Sequence, residues 1–177
     1  MSIAINERLL YNVLCPYLKE VILMKFVVIS DTHGFINNAV KFIEKEKPDY
    51  VIHLGDTVAD CEDLENIFPR QKFIFVKGNN DFWTKSSLFP DERIFTLCNK
   101  KFLVCHGHKY HVKSGLFALK KKALDENADI VLYGHTHVKF IETGDMLIMN
   151  PGSHMTYGLI QIEDNATVAE IKSVYDE

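Results

Sequence analysis

The chemistry of this chain begins where an apolar run stops. Val28-Ile29 is followed by Ser30-Asp31-Thr32-His33-Gly34, which sets a carboxylate and an imidazole two residues apart. Such groups find no hydrogen-bond partners inside an apolar strand, so they must leave its end for a loop or a site. Residues i and i+2 of an extended segment project to one side, so Asp31 and His33 can hold one metal ion between them. By itself Asp-x-His is a common coincidence. Four more polar clusters follow in the same manner: Gly55-Asp56, Gly78-Asn79-Asn80-Asp81, His106-Gly107-His108 and Gly134-His135-Thr136-His137. Each contains a glycine, which gives the backbone room to approach a metal and its oxyanion ligand.

The candidate ligands are Asp31, His33, Asp56, Asn79, His106, His135 and His137. Mixed oxygen and imidazole donors suit manganese, iron, nickel, cobalt or zinc better than calcium or magnesium. Seven protein groups are too many for one such ion. They match two octahedral ions that share a bridging carboxylate and a bridging water. Two-metal sites hold their ions about 3.5–4 Å apart and act on phosphate esters by in-line attack. Two carboxylates against two divalent ions leave a net charge of about +2, which a bridging hydroxide reduces to about +1. That surplus attracts a phosphodiester anion and stabilises the charge that develops in its transition state.

The order Asp-x-His, Gly-Asp, Gly-Asn-x-Asp, His-Gly-His and Gly-His-x-His resembles the calcineurin-like metallophosphoesterase superfamily. It is most similar to the minimal cap-less branch, the YfcE-like phosphodiesterases. The resemblance covers about residues 24–175, and Asn150-Pro151-Gly152-Ser153 fits the same branch. It implies a four-layer α/β/β/α sandwich of two mixed sheets flanked by helices. It implies one metal on Asp31, His33, Asp56 and His137, with Asp56 bridging to a second metal that also takes Asn79, His106 and His135. Asp56, Asn80 and His106 are the implied catalytic groups, and Asn79, Asn80 and His108 the implied substrate contacts. Manganese leads among the candidate ions. The sequence departs from many superfamily members at Asn80, where they carry a histidine as general acid. Asparagine cannot donate a proton in that way, which weakens a phosphomonoesterase or protein-phosphatase reading. Asp81 is read as orienting a neighbour or capping the next segment. The expected activity is a phosphodiesterase in which a metal-bridging hydroxide attacks phosphorus. The alternatives are a non-catalytic scaffold, like the retromer subunit that resembles this fold, and a nuclease or nucleotide phosphodiesterase. No cap domain or long specificity loop is visible, which implies an open cleft for a phosphodiester, including a nucleotide-like one.

The elements that must position these residues alternate. Strands are expected over 26–29, 49–54 and 72–76, and helices over 37–46 and 61–67. This βαβαβ order implies parallel strands, whose ligands bind at their carboxyl ends. A hairpin follows over 94–97 and 101–105, turning on Asn99-Lys100. A helix over 116–127 and a buried strand over 128–133 lead into strands over 138–142, 146–149, 157–162 and 167–173. Turns fall at Gly144-Asp145 and Asp164-Asn165.

The 177 residues suffice for one domain with a core, assigned to 24–177. Residues 1–23 read as an upstream extension or an added helix, with Pro16 ending any helix near Leu14. The net charge of −4 counts against a stable complex with long nucleic acid. No apolar run reaches the roughly 18 residues of a membrane-spanning helix. The four cysteines show no paired spacing and read as reduced thiols of a cytoplasmic protein. A homo-oligomer is compatible with the sequence. His53 lies inside a strand and reads as a core histidine, and Cys105 faces away from His106 as a core thiol. Lys109 to Lys113 read as a solvated loop, Lys120 to Lys122 as the wet face of a helix. Phe82, Trp83 and Phe89 read as core or subunit contact. His154 is given no role.

Overall fold

In the computed structural model, which describes residues 23–81, 89–164 and 166–176, β1 (Leu23–Ile29) lies mid-sheet. Phe26 and Val28 face a second sheet, while Val27 and Ile29 face helices. Burial on both faces is why Phe26–Ile29 is a continuous apolar run instead of an alternating one. The first sheet runs β10 (Ala166–Ser173), β9 (Thr156–Glu163), β1, β2 (Tyr50–His53), β3 (Lys72–Phe75). In it β1, β2 and β3 are parallel and β9 is antiparallel to both its neighbours. The second sheet runs β4 (Glu92–Leu97), β5 (Lys100–Cys105), β6 (Ile130–Leu132), β8 (Leu147–Asn150), β7 (Phe140–Glu142). Here β5, β6 and β8 are parallel, with β4 and β7 as antiparallel edges.

Three apolar layers hold the stack together. Phe26, Val28, Ile52, Leu54, Phe102, Val104, Leu132 and Met149 fill the space between the sheets. Helices α1 (Ile36–Glu46) and α2 (Val58–Ile67) cover the first sheet through Ala39, Phe42, Ile43 and Leu64. Helix α3 (Phe117–Glu126) covers the second through Leu119 and Ala123. The expected α/β/β/α sandwich of two mixed sheets is therefore the observed one. Among the described residues no helix is long and apolar enough to cross a membrane.

Some boundaries differ from the sequence reading. β1 starts at Leu23, paired with Glu163, so it takes in the last residue assigned to the extension. The rest of that extension, Phe82, Trp83 and Asn165 lie outside the described residues. The hairpin turns on Cys98 and Asn99, with φ of 52° and 56°, and Leu97 pairs with Lys100. Positive φ at both central residues is the turn whose twist matches the flanking strands. α2 starts at Val58, before the expected 61, because Asp81 Oδ1 accepts the N–H groups of Thr57 at 2.9 Å and Val58 at 2.8 Å. That cap comes from a loop distant in sequence, so no local signal announces it.

The end of α1 is tied to the first sheet by a buried acid. Glu46 Oε1 accepts the Tyr157 hydroxyl at 2.7 Å and lies 3.4 Å from Lys172 Nζ, while Oε2 lies 3.5 Å from Lys25 Nζ. Burial raises the Glu46 pKa, but Tyr157, Lys172 and Lys25 outweigh it and hold the carboxyl below its ordinary value. Its contribution is present above a carboxyl's ordinary pKa and is lost as pH falls through the lowered one. Tyr157→Phe removes one donor from this carboxylate and should cost about 1–2 kcal/mol. The check is a lower urea midpoint with an unchanged m-value.

Candidate metal centre

Parallel strands of both sheets deliver their following loops to one place. β1 leads to Asp31 and His33, β2 to Asp56, β3 to Asn79 and Asn80, β5 to His106, and β6 to His135 and His137. Two triads form there, Asp31–His33–His137 and Asp56–His106–His135, with ligand-type atoms in each triad within 4.8 Å of one another. His137 Nε2 lies 3.2 Å from Asp31 Oδ1 and 3.5 Å from His33 Nε2. His106 Nε2 lies 3.4 Å from Asp56 Oδ1 and 3.2 Å from His135 Nδ1. It is also 4.0 Å from Asp31 Oδ1, which joins the triads.

The backbone is bent hard to achieve this. Asp31, His33, Asp56, His135 and His137 have φ of 53°, 46°, 61°, 69° and 59°. The i, i+2 rule for extended chain therefore does not apply to Asp31 and His33; a left-handed reversal aims them instead. Such conformations cost about 1–3 kcal/mol each and persist only where surrounding structure fixes them. Asp81 Oδ2 accepts the N–H groups of Gly78 at 2.6 Å and Asp56 at 3.1 Å. Asp81 thus orients a neighbour as read, and the helix it caps precedes it in the chain. Asn150, fully buried, donates to Gly134 O at 2.8 Å and Thr136 Oγ1 at 2.9 Å and so clamps the Gly-His-x-His loop. The glycines make room for acids and hydroxyls of the loops themselves: a Cβ on Gly78 would overlap Asp56 Oδ1, and one on Gly134 would overlap Ser30 Oγ.

The donor set fits divalent cations. His106 Nδ1 faces Leu54 O at 2.8 Å and must donate to it, which leaves Nε2 with a lone pair. That lone pair faces Asp56 Oδ1 and, at 3.2 Å, Asn79 Oδ1. The Asn79 amide is turned this way because its Nδ2 donates to Asn80 Oδ1 at 3.1 Å. Asp31 Oδ1 is buried and accepts no hydrogen bond. Acceptors converging without a donor are what a cation satisfies, and a ring N–H donated to a backbone carbonyl is the usual support of a ligating histidine. The electrostatics agree. Burial raises the Asp56 pKa, but His106 and the Asn80 N–H outweigh it and hold the carboxyl at about 2. Burial opposes charge on His106, and Asp56 and Asp31 outweigh that too, so its pKa is raised. Burial and the neighbouring His106 push His135 down to about 4.

The remaining predicted residues have definite places. Asn80 donates its N–H to Asp56 Oδ1 at 3.0 Å and its Nδ2 to Oδ2 at 2.9 Å, so it grips the carboxylate. The His108 ring stands 5.4 Å from that of His106 and 6.1 Å from that of His135, with Nδ1 buried and unpartnered. Cys105 is buried among the residues under α3, and burial pushes its thiol up to about 12. Lys109 pairs with Asp91, and the Tyr110 hydroxyl bonds Glu92, so this loop is tied to the start of β4. Lys120 pairs with Glu142, and Lys122 with Glu92 and Glu126, so much of the lysine run's charge is neutralised. Phe89 packs 5.9 Å from the Phe75 ring, and His154 stacks 4.8 Å from Phe35. Sequence reasoning assigned no role to Ser30 or Asp60, which support the β1 loop, and singled out Asn150 only as part of a motif and not as the clamp of the Gly-His-x-His loop. For Ser30 and Asn150 the available signal was a polar residue directly after an apolar run; Asp60, one of several acids on its helix, offered none.

His53 is fully buried and satisfied: Nδ1 accepts Gly55 N–H at 3.1 Å and Nε2 contacts Thr32 Oγ1 at 3.0 Å. Burial holds its pKa down at about 4. A depressed histidine adds stability above its unfolded pKa near 6.5 and loses it as pH falls through 4, an effect of roughly 3 kcal/mol. Metal-free protein should thus lose stability between pH 6.5 and pH 4 in urea denaturation, and His53→Gln should flatten that slope.

Two stacked mixed sheets with Asp/His triads on the loops after their parallel strands are the architecture that the resemblance implied. Residues 24–173 match the model of the calcineurin-like phosphoesterase superfamily domain, and the chain belongs to that superfamily. It is 30% identical over 166 residues to the probable metallophosphoesterase YsnB of Bacillus subtilis, covering 87% of this chain and 92% of that protein. It is 33% identical to phosphodiesterase MJ0936 of Methanocaldococcus jannaschii over 76% of this chain and 86% of that one. A solved structure from Streptococcus pneumoniae TIGR4, a conserved protein described as a predicted phosphoesterase, superposes with a TM-score of 0.69. It shares 26% identity over 86% of this chain and 90% of that chain. Vacuolar Protein Sorting 29 from Cryptosporidium parvum shares the fold, with a TM-score of 0.72 at 20% identity over 87% of this chain and 93% of that chain.

Proposed function

We propose that this protein hydrolyses phosphodiesters at two divalent metal ions. The observation that carries the reading is Asp31 Oδ1, buried without a donor between two Asp/His triads. Asp31, His33, Asp56 and His137 would hold one ion, and Asp56, Asn79, His106 and His135 the other. When bound, such ions supply Lewis-acid polarisation of the phosphoryl oxygens and a strongly acidified water. Manganese is the proposed ion, and the same donors suit nickel, iron, cobalt or zinc.

The chain's own groups prepare the site for this. Asn80 fixes both oxygens of Asp56, and His106 is oriented by Leu54 O. His108, whose ring stands 5.4 Å from that of His106, is proposed as a contact to a phosphate oxygen. Asn80 offers no exchangeable acid proton, so the leaving group must depart without help from that position. This favours diesters whose leaving group departs without a proton, aryl esters above all. Three described cysteines are free thiols, in keeping with the cytoplasm as the proposed location.

The test compares a chromogenic phosphodiester with its monoester on chelator-stripped protein, adding back each divalent ion in turn. Metal-dependent turnover that favours the diester supports the reading. Turnover of the monoester alone would overturn it.

A further inference from the structure

Beneath the triads, a buried polar relay joins the loop after β1 to the loop after β2. Because His53 Nδ1 accepts the Gly55 N–H, its proton is on Nε2 and is donated to Thr32 Oγ1 at 3.0 Å. The Thr32 hydroxyl in turn donates to Asp60 Oδ2 at 2.5 Å, and the same oxygen accepts the Gly34 N–H at 2.8 Å. Asp60 stands in the first turn of α2 and is 4% exposed. Asp31 N–H closes the circuit by donating to Gly55 O at 3.1 Å. Every donor has one acceptor, so the direction of the relay is fixed. His33 lies between Thr32 and Gly34, and both flanking residues hang on one carboxylate oxygen.

We propose that Asp60 is a positioning residue that sets the affinity of the Asp31–His33–His137 half-site for its ion, acting through Thr32 and Gly34. The inference rests on the metal-centre reading above. Asp60 belongs to neither triad. Its anchors hold His33 at a φ of 46°, a conformation that a non-glycine residue leaves when released. Without them the segment relaxes and His33 Nε2 moves away from His137 Nε2. The other half-site is held by different groups: Asp81 and Asn80 on the Asp56 loop, and Leu54 O on His106. Its affinity should not follow Asp60.

The test titrates chelator-stripped full-length protein with Mn²⁺ in a calorimeter, with no substrate present. Asp60→Ala and Thr32→Val should weaken one of two bound ions by about 10- to 100-fold and leave the other unchanged. Thr32→Ser, which keeps the hydroxyl, should restore both. In a His137→Ala background, Thr32→Val should cost little more, which identifies the affected half-site. Circular dichroism of the metal-free variants checks folding; should Asp60→Ala not fold, the Thr32 pair decides. Folded variants that bind both ions as wild type does would overturn this inference and leave the metal centre standing. Equal weakening of both ions would also overturn it. A wild-type protein that binds no divalent ion would overturn the metal-centre reading and the inference together.

Discussion

Asp56→Asn is expected to lower metal-dependent diester hydrolysis by about three orders of magnitude while the fold survives. Asp56 is 2% exposed, and both of its oxygens already accept from Asn80. An amide of the same shape must turn its NH₂ toward one of those donors or toward a ligand position. It also removes one of the two carboxylates that would neutralise the ions. The carboxyl is held at about 2, so the charge is present throughout the neutral range and the amide cannot imitate it. The measurement is kcat/KM on a chromogenic diester with metal added back, beside circular dichroism of the same sample. A variant within a few-fold of wild type would remove Asp56 from the proposed bridging role.

The largest expected effect on stability comes from a single methyl group. A Cβ on Gly78 would overlap Asp56 Oδ1 and the Asp56 backbone nitrogen, and one on Gly55 would overlap the Gly78 nitrogen. The two loops are thus in backbone contact, and neither can retreat. The Gly78 N–H is also committed to Asp81 at 2.6 Å. Gly78→Ala should therefore cost about 3 kcal/mol, a fall of roughly 6–12 °C in Tm for a domain of this size. Metal binding should fall with it, because Asp56 is the atom group displaced. Gly144→Ala is the control: nothing lies within 4 Å of its added Cβ, so Tm should hardly move. Calorimetric scans of the metal-free proteins decide the matter.

The site was legible because its residues interrupt strong patterns. A buried strand is apolar on both faces, so Asp31, Asp56, His106 and His135 are conspicuous where such runs stop. The layers were legible for the same reason, since Val28 and Ile29 in succession demand cover on both sides. What the pattern did not reveal is what bends the loops. Asp60 looks like any acid of a surface helix, yet it is buried and takes two donors from the β1 loop. Asp81 was read locally, and its hydrogen bonds reach back to the Asp56 loop and to the start of α2. Both act through contacts distant in sequence, which periodicity and spacing do not encode. Asp31 and His33 do fall in one triad, but not through the i, i+2 geometry of extended chain. Their left-handed backbone follows from anchors that only the folded chain supplies.

The most direct measurement is diester turnover of chelator-stripped protein as Mn²⁺ is titrated in, with bound metal counted in the same samples. The two-metal account predicts no turnover without metal and a rate that saturates at about two ions per chain. Unchanged turnover after stripping would contradict it. So would two ions bound per chain with no turnover of either ester under any of the candidate metals.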